Sequence, residues 1–232
     1  MRNLKKYSNH SGYSADERAL GYNVSICKSE NHTHYDKPYD SKIAYLEIPI
    51  GAYIDSGIIP TNETGILYEY KRINGTSTST TAVAGYRHSN LNATYFILQG
   101  YNSSSIGTWN ATNRTVSIAS FDAYQKCEFN YFNSRTFIVN NVQTTGADFE
   151  ELSFTPTKSF YLGACRIANT DGLQSNVAPH QVFAAKVTQG NELVLDLIPV
   201  RVGTTGYMYD RISKRLFGNS GTGEFILGND II

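Results

Sequence analysis

From Ile43 to the end of the chain, short apolar or aromatic runs alternate with turn residues. AYLEIPI, GILYEYKRI, TAVAGYR, NATYFILQGY, TVSIASF, CEFNYFN, RTFIVNN, SFYLGACRI, QVFAAKVTQ, ELVLDLIPV, GYMYDR and EFILG all have this form. GILYEYKRI and RTFIVNN show the period-two alternation of a strand with one buried face, and the others are shorter continuous runs. No segment carries a helical period for more than two turns. Roughly a dozen strands in such a length predict an all-β, two-sheet jelly-roll sandwich rather than a small immunoglobulin-type domain.

Residues 1–42 break this pattern and are read as a separate N-terminal arm, with the sandwich taking 43–232. The arm holds three histidines (His10, His32, His34) and no long apolar run. SADERALG could form a turn or two of helix between the N-cap Ser14 and Gly21. An arm that cannot bury much surface alone is expected to fold against a partner or the main body.

Composition narrows the function. Lys plus Arg and Asp plus Glu number 20 each, so charge draws the chain neither to nucleic acid nor to an anionic membrane. No run reaches the ~18 apolar residues of a membrane helix, and the N-terminus lacks the apolar core of a secretory signal, so synthesis in a cytoplasm is expected. Cys27, Cys127 and Cys165 are scattered and odd in number, which predicts reduced thiols. Nine N-x-S/T sequons, from Asn9 to Asn113, follow from an Asn/Ser/Thr-rich composition.

The glycine-rich stretch LFGNSGTGEFILG (Leu216–Gly228) raises the question of a phosphate loop. Such a loop needs a lysine and a following helix, and EFILG supplies neither. The stretch is therefore read as a hairpin turn joining RLFGN to EFILG.

Around that turn the chain resembles the closing segment of concanavalin A-like (laminin-G-like) jelly-roll domains of phage and gut-bacterial surface proteins. The match runs through Asp196, Ile198, Pro199, Val200, Arg201, Gly206, Tyr209, Asp210, Leu216, Phe217, Gly221, Thr222, Gly223, Phe225 and Gly228. The opening AYLEIPIGAYIDSGI is similar to that family's first strands at Tyr45, Leu46, Gly51, Tyr53, Ile54, Asp55, Gly57 and Ile58. The arm resembles N-terminal segments of virion proteins of crAss-like Bacteroidetes phages, at Lys6, His10, Tyr13, Asn23, Val24, Ser25, Cys27, His34, Tyr35 and Asp36, with Thr33 where that family has Val. This resemblance implies virion attachment through Lys6, His10, Tyr13, Asn23, His34 and Tyr35.

No catalytic set is expected. The E-x-D-x-x-E strand of retaining glucanases, which sets two carboxylates about 5–5.5 Å apart, does not occur. DFEEL places its acids on alternating faces if it is extended. His32 and His34 share a strand face as a metal pair would, but nothing nearby except Asp36 could complete a set, so no metal and no cofactor are expected. Asp55, Asp196 and Asp210 could bind calcium, as in some laminin-G-like domains, but sit beside turn glycines, where capping backbone amides is the commoner use. Arg201 and Arg211 are expected to pair with Asp196 or Asp210.

Carbohydrate recognition needs aromatic faces with planar polar groups. Tyr101, Trp109, Asn110 and Arg114, in the stretch read as a polar loop, are the candidates. The chain is thus read as a non-enzymatic phage virion structural protein, a capsid-attached head fibre or decoration. Its partners would be capsid or other virion proteins through the arm, which docks by strand addition or by folding against them. Homo-oligomerisation, with dimer and trimer both open, and host-surface polysaccharide complete the expectation. A tail appendage and a secreted bacterial lectin are the alternatives.

Overall fold

The computed structural model describes residues 37–73, 81–87, 94–101, 105–110, 112–120, 122–130, 136–143, 155–173 and 177–231. No helix occurs among them. The strands, in chain order, begin with Ser41–Ile43 (β1), Leu46–Ile48 (β2), Ile54–Asp55 (β3), Thr64–Arg72 (β4), Thr81–Arg87 (β5), Thr94–Tyr101 (β6) and Ser105–Asn110 (β7). Next come Thr112–Ser117 (β8), Gln125–Asn130 (β9), Thr136–Val139 (β10), Val142–Gln143 (β11), Tyr161–Leu162 (β12), Cys165–Ile167 (β13) and Gly172–Leu173 (β14). The last are His180–Gln189 (β15), Glu192–Val202 (β16), Thr205–Asp210 (β17), Leu216–Phe217 (β18), Ile226–Leu227 (β19) and Asp230–Ile231 (β20).

They form two sheets. The larger runs β11-β10-β9-β4-β15-β16-β1-β20, with β17 and β18 continuing from β16, and β2 and β19 continuing from β15. The smaller runs β14-β13-β5-β6-β7-β8, with β12 and β3 attached to β5. Among the named strands only β13 and β5 pair in parallel. The architecture is the all-β sandwich the strand pattern predicts.

Alternation explains the core. Along β4, Ile66, Tyr68, Tyr70 and Arg72 are buried, while Leu67, Glu69 and Lys71 are half-buried on the opposite face. Tyr68, Tyr70, Phe129 and Phe137 of the larger sheet meet Ile54, Val83, Tyr86, Ile106 and Val116 of the smaller one in a single cluster. Polar side chains are buried too, Arg72 and His180 among them. His180 is fully buried, with Nε2 2.9 Å from the Tyr68 hydroxyl and Nδ1 2.8 Å from the Ala178 carbonyl. A carbonyl can only accept, so Nδ1 carries the proton and Nε2 accepts from Tyr68. Burial, aided by the nearby Arg72 charge and opposed by the Ala178 bond, pulls the imidazole pKa down to about 4.

Residues 39–232 form one compact unit. Asp40 N donates to Arg201 O at 2.9 Å, and Ser41 and Lys42 pair with Arg201 and Val200. Cys127 and Cys165 are buried free thiols whose pKa burial pushes up; Cys27 lies outside the described residues. Among the described residues no helix is long and apolar enough to cross a membrane.

The glycine-rich stretch is not a phosphate loop, and it is not a hairpin either. β18 pairs with β17, whereas β19 pairs with β2, so the strands flanking the turn never meet. Each flank finds its partner elsewhere, and the intervening chain lies along the loop after β2. Ser220 N donates to Tyr53 O at 2.8 Å, Thr222 N to Gly51 O at 2.9 Å, and Tyr53 N to Asn219 Oδ1 at 3.1 Å. A Cβ on Gly221 would stand 2.0 Å from the Gly51 carbonyl oxygen. Gly221→Ala is expected to cost about 2–3 kcal/mol, because backbone must move to admit the methyl group. Gly57, at φ +69° with open space for 4 Å around the position a Cβ would take, should lose only about 1–2 kcal/mol as alanine. Urea unfolding of both variants checks the ordering.

Candidate functional site

The outward face of the larger sheet brings aromatic side chains together with planar polar groups. On β15, the register against β4 shifts between Val182 and Ala184, leaving Phe183 as an extra residue. Such a bulge re-aims a side chain. The half-buried Phe183 ring lies 6.0 Å from Tyr45 and 5.2 Å from Tyr124, at interplanar angles of 65° and 67°. Tyr124 is 46% exposed, and its hydroxyl donates to Glu69 on β4, which fixes the ring. Partial burial, then the Glu69 carboxylate, push the Tyr124 phenol above its ordinary range. Three rings from three separated segments thus form one row.

Around the row the cross-strand register sets alternating charge. Glu69 lies opposite Lys126 and Leu67 opposite Glu128, and Lys126 Nζ is 2.9 Å from Glu128 Oε1. Gln181 lies opposite both Glu47 and Lys71, and its Nε2 donates to Glu47 Oε2 at 3.4 Å. Apolar ring surface flanked by carboxylates and an amide is the chemistry that packs against sugar C–H groups and bonds to their hydroxyls.

The residues singled out in the sequence fall elsewhere. The stretch read as a loop is instead two hairpins: Tyr101 ends β6 opposite Ser105, Trp109 lies in β7 opposite Asn113, and Arg114 lies in β8 opposite Thr108. Polar Ser, Asn and Thr positions hide the strands, since period two survives there only at buried Ile106 and Val116. By backbone register Trp109, Asn110 and Arg114 fall toward the turn end of the β7–β8 pair, and Tyr101 pairs at the other end of β7. Lys6, His10, Tyr13, Asn23, His34 and Tyr35 of the arm, together with His32 and the acids of DFEEL, lie outside the described residues.

A second polar cluster, at the β3–β12–β13 end, is closed on itself. Arg166, with 3% of its side chain exposed, donates from Nη2 to Asp55 Oδ2 at 2.8 Å and from Nη1 to Asp171 Oδ1 at 2.6 Å. Nη1 also reaches Thr170 O at 2.9 Å, Ser159 Oγ donates to Asp55, and the guanidinium carbon sits 3.9 Å over the Tyr161 ring. Bonds from Lys158 and then Arg166 hold the Asp171 carboxyl below its ordinary pKa.

The aspartates serve turns as expected at two of three positions. Asp55 accepts from Gly57 N, and Asp210 accepts from the amides of Asp196, Ile212 and Ser213. Burial raises the Asp210 pKa, but bonds from Ser213 and these amides outweigh it and lower the value. Asp196 instead pairs with Arg211 at 2.7 Å. Arg201 departs from expectation, pairing with Asp230 at 2.6 Å because β20 is brought alongside by β1. Among the described residues no group of three or more His, Cys, Asp or Glu is placed to hold a metal.

By fold the chain is an all-β, jelly-roll-like sandwich. Among solved structures it is similar to a candidate carbohydrate binding protein from Bacteroides ovatus, at TM-score 0.54 and 13% identity over 81% of this chain. This chain spans 60% of that one. It is also similar to the CBM40 of the Ruminococcus gnavus IT-sialidase bound to α2,3-sialyllactose, at TM-score 0.47 and 15% identity, covering 67% of this chain and 95% of the module. No protein-family model matches the chain, and no curated protein matches it.

Proposed function

We propose that this chain is a non-enzymatic phage virion structural protein, a head fibre or decoration on the virion surface, whose sandwich adheres to host-surface glycan. The observation that carries the glycan reading is the Tyr45–Phe183–Tyr124 row with Glu69, Gln181 and Glu47 on one sheet face. The sandwich likeness to a candidate carbohydrate binding protein agrees with it. The arm, through Lys6, His10, Tyr13, Asn23, His34 and Tyr35, docks onto capsid or other virion proteins, and rests on its sequence resemblance to phage segments. A single such face binds weakly. Dimers or trimers, many per particle, convert that into avidity.

Phe183→Ala is expected to weaken glycan binding by at least about tenfold while the domain stays folded, since the ring packs outside the core. Isothermal titration against extracted host capsular polysaccharide measures it, and unchanged affinity would remove the face from the proposal. The virion part is tested separately by quantitative mass spectrometry of density-purified particles. A fixed ratio to the major capsid protein supports it, and that ratio separates a head fibre from a tail appendage. Absence would favour a secreted bacterial lectin, the second reading, which the likeness to a Bacteroides ovatus protein supports.

A further inference from the structure

Beside Tyr124 the face opens into a half-open cavity of about 250 Å³, between the end of β8, the approach to β9 and the β10–β11 turn. Resting on the glycan reading above, we infer that this cavity receives the acetamido group of a neutral N-acetylhexosamine in the bound glycan. Its volume lies below the roughly 300–1,000 Å³ of pockets for drug-sized ligands, which leaves room for one ring and a substituent.

None of the described residues lining the cavity is charged. A carboxylated sugar would lose hydration there without a cation to meet it, so the guest is neutral. One wall is apolar: Ile118, Ala119, Ala123 and Val142 offer only hydrocarbon. Val142 is 57% exposed and Tyr124 46%, so two large apolar side chains left open to water flank the same opening.

The other wall is polar and already braced. Gln125 Nε2 donates to Ser120 O at 2.9 Å and to Ala123 O at 3.3 Å, and Asn140 Nδ2 donates to Gln125 Oε1 at 2.7 Å. Ser120 Oγ accepts from Asp122 N at 3.2 Å, and its own proton meets no acceptor among the described residues. An acetamido carbonyl accepts that proton while its methyl packs on Ala119, Ala123 and Val142. A plain hydroxyl at the same carbon fills neither role. Because Tyr124 belongs to both the aromatic row and the cavity rim, one glycan engages both.

The test is titration of the full chain against matched neutral oligosaccharides differing only in acetamido against hydroxyl at C2, in gluco, galacto and manno series. The wild type is expected to prefer the acetamido member of at least one pair by about tenfold. Saturation-transfer NMR should then place the acetyl methyl among the most strongly saturated protons. Ala123→Trp, at an exposed position, fills the cavity and should abolish the preference, whereas Phe183→Ala should weaken both members alike. Equal binding of both members in every pair, or a preference that survives Ala123→Trp, overturns the cavity assignment and leaves the face as a glycan site. Binding of neither member in any series overturns both.

Discussion

Replacing Arg166 with methionine is expected to destabilise the sandwich by about 3 kcal/mol, the low end of the cost of breaking a buried ion pair. The low end applies because the carboxylates left behind can regain water: Asp55 is 37% exposed and Asp171 75%. What is lost is the fork. Arg166 alone joins the β3 end, the Ser159 segment and the 167–172 turn, and it covers the Tyr161 ring. Lysine keeps the charge but cannot reach both carboxylates with planar, divergent donors, so Arg166→Lys should recover only part of the loss. Denaturant unfolding at neutral pH measures both. Equal stability of wild type and Arg166→Met would show that the cluster is a surface ornament and that Tyr161 and Tyr53 hold those loops unaided.

The second large effect is a loss of stability in mild acid. His180 has an ordinary pKa near 6.5 when the chain is unfolded and one of about 4 in the folded protein. As pH falls between those values the unfolded chain takes up a proton that the folded one refuses, so unfolding becomes easier. The contribution is fully present above about pH 6.5 and gone below about pH 4, amounting to roughly 3 kcal/mol. The groups around the imidazole offer no relief. Tyr68 and Tyr70 pack against its ring, Arg72 lies directly across from it on β4, and no carboxylate among the described residues is bonded to it. His180→Gln, which keeps an acceptor for Tyr68, should flatten the dependence between about pH 6.5 and pH 4.5 even if it lowers stability throughout. An unfolding free energy that is level across that range in the wild type would contradict the assignment of a neutral buried imidazole.

The strand content is legible in the sequence because burial follows period two where strands are long. GILYEYKRI predicts an alternating strand, and β4 alternates without a break from Ile66 to Arg72. What the pattern does not convey is pairing order. Leu216–Phe217 and Ile226–Leu227 look like two arms of a hairpin because they are near in sequence, yet each is claimed by a strand far from the other, β17 on one side and β2 on the other. The candidate face is hidden for the same reason. Tyr45, Tyr124 and Phe183 are dispersed along the chain and meet only because β15 lies between β2 and β4, with β9 next to β4. Phe183 in particular sits in an apolar run whose bulge has no turn residue to announce it. Trp109, by contrast, stands out as the sole tryptophan among polar neighbours, and those neighbours conceal a strand.

The long-range pairing of β1 and β2 has a consequence for the nascent chain. Among the described residues, β1 pairs only with β16 and β20, and β2 only with β15 and β19. These two strands therefore wait for partners made much later, and Lys42 waits for Ile231. Contacts of such long sequence separation are slow to form. The nascent sandwich holds unpaired strand edges until β19 and β20 have emerged, and a chain stopped short of Ile226 leaves one side of β2 and one side of β1 unpaired. Closure waits for the last strands of the sandwich, and a polypeptide lacking residues 226–231 is a ready substrate for chaperones and proteases.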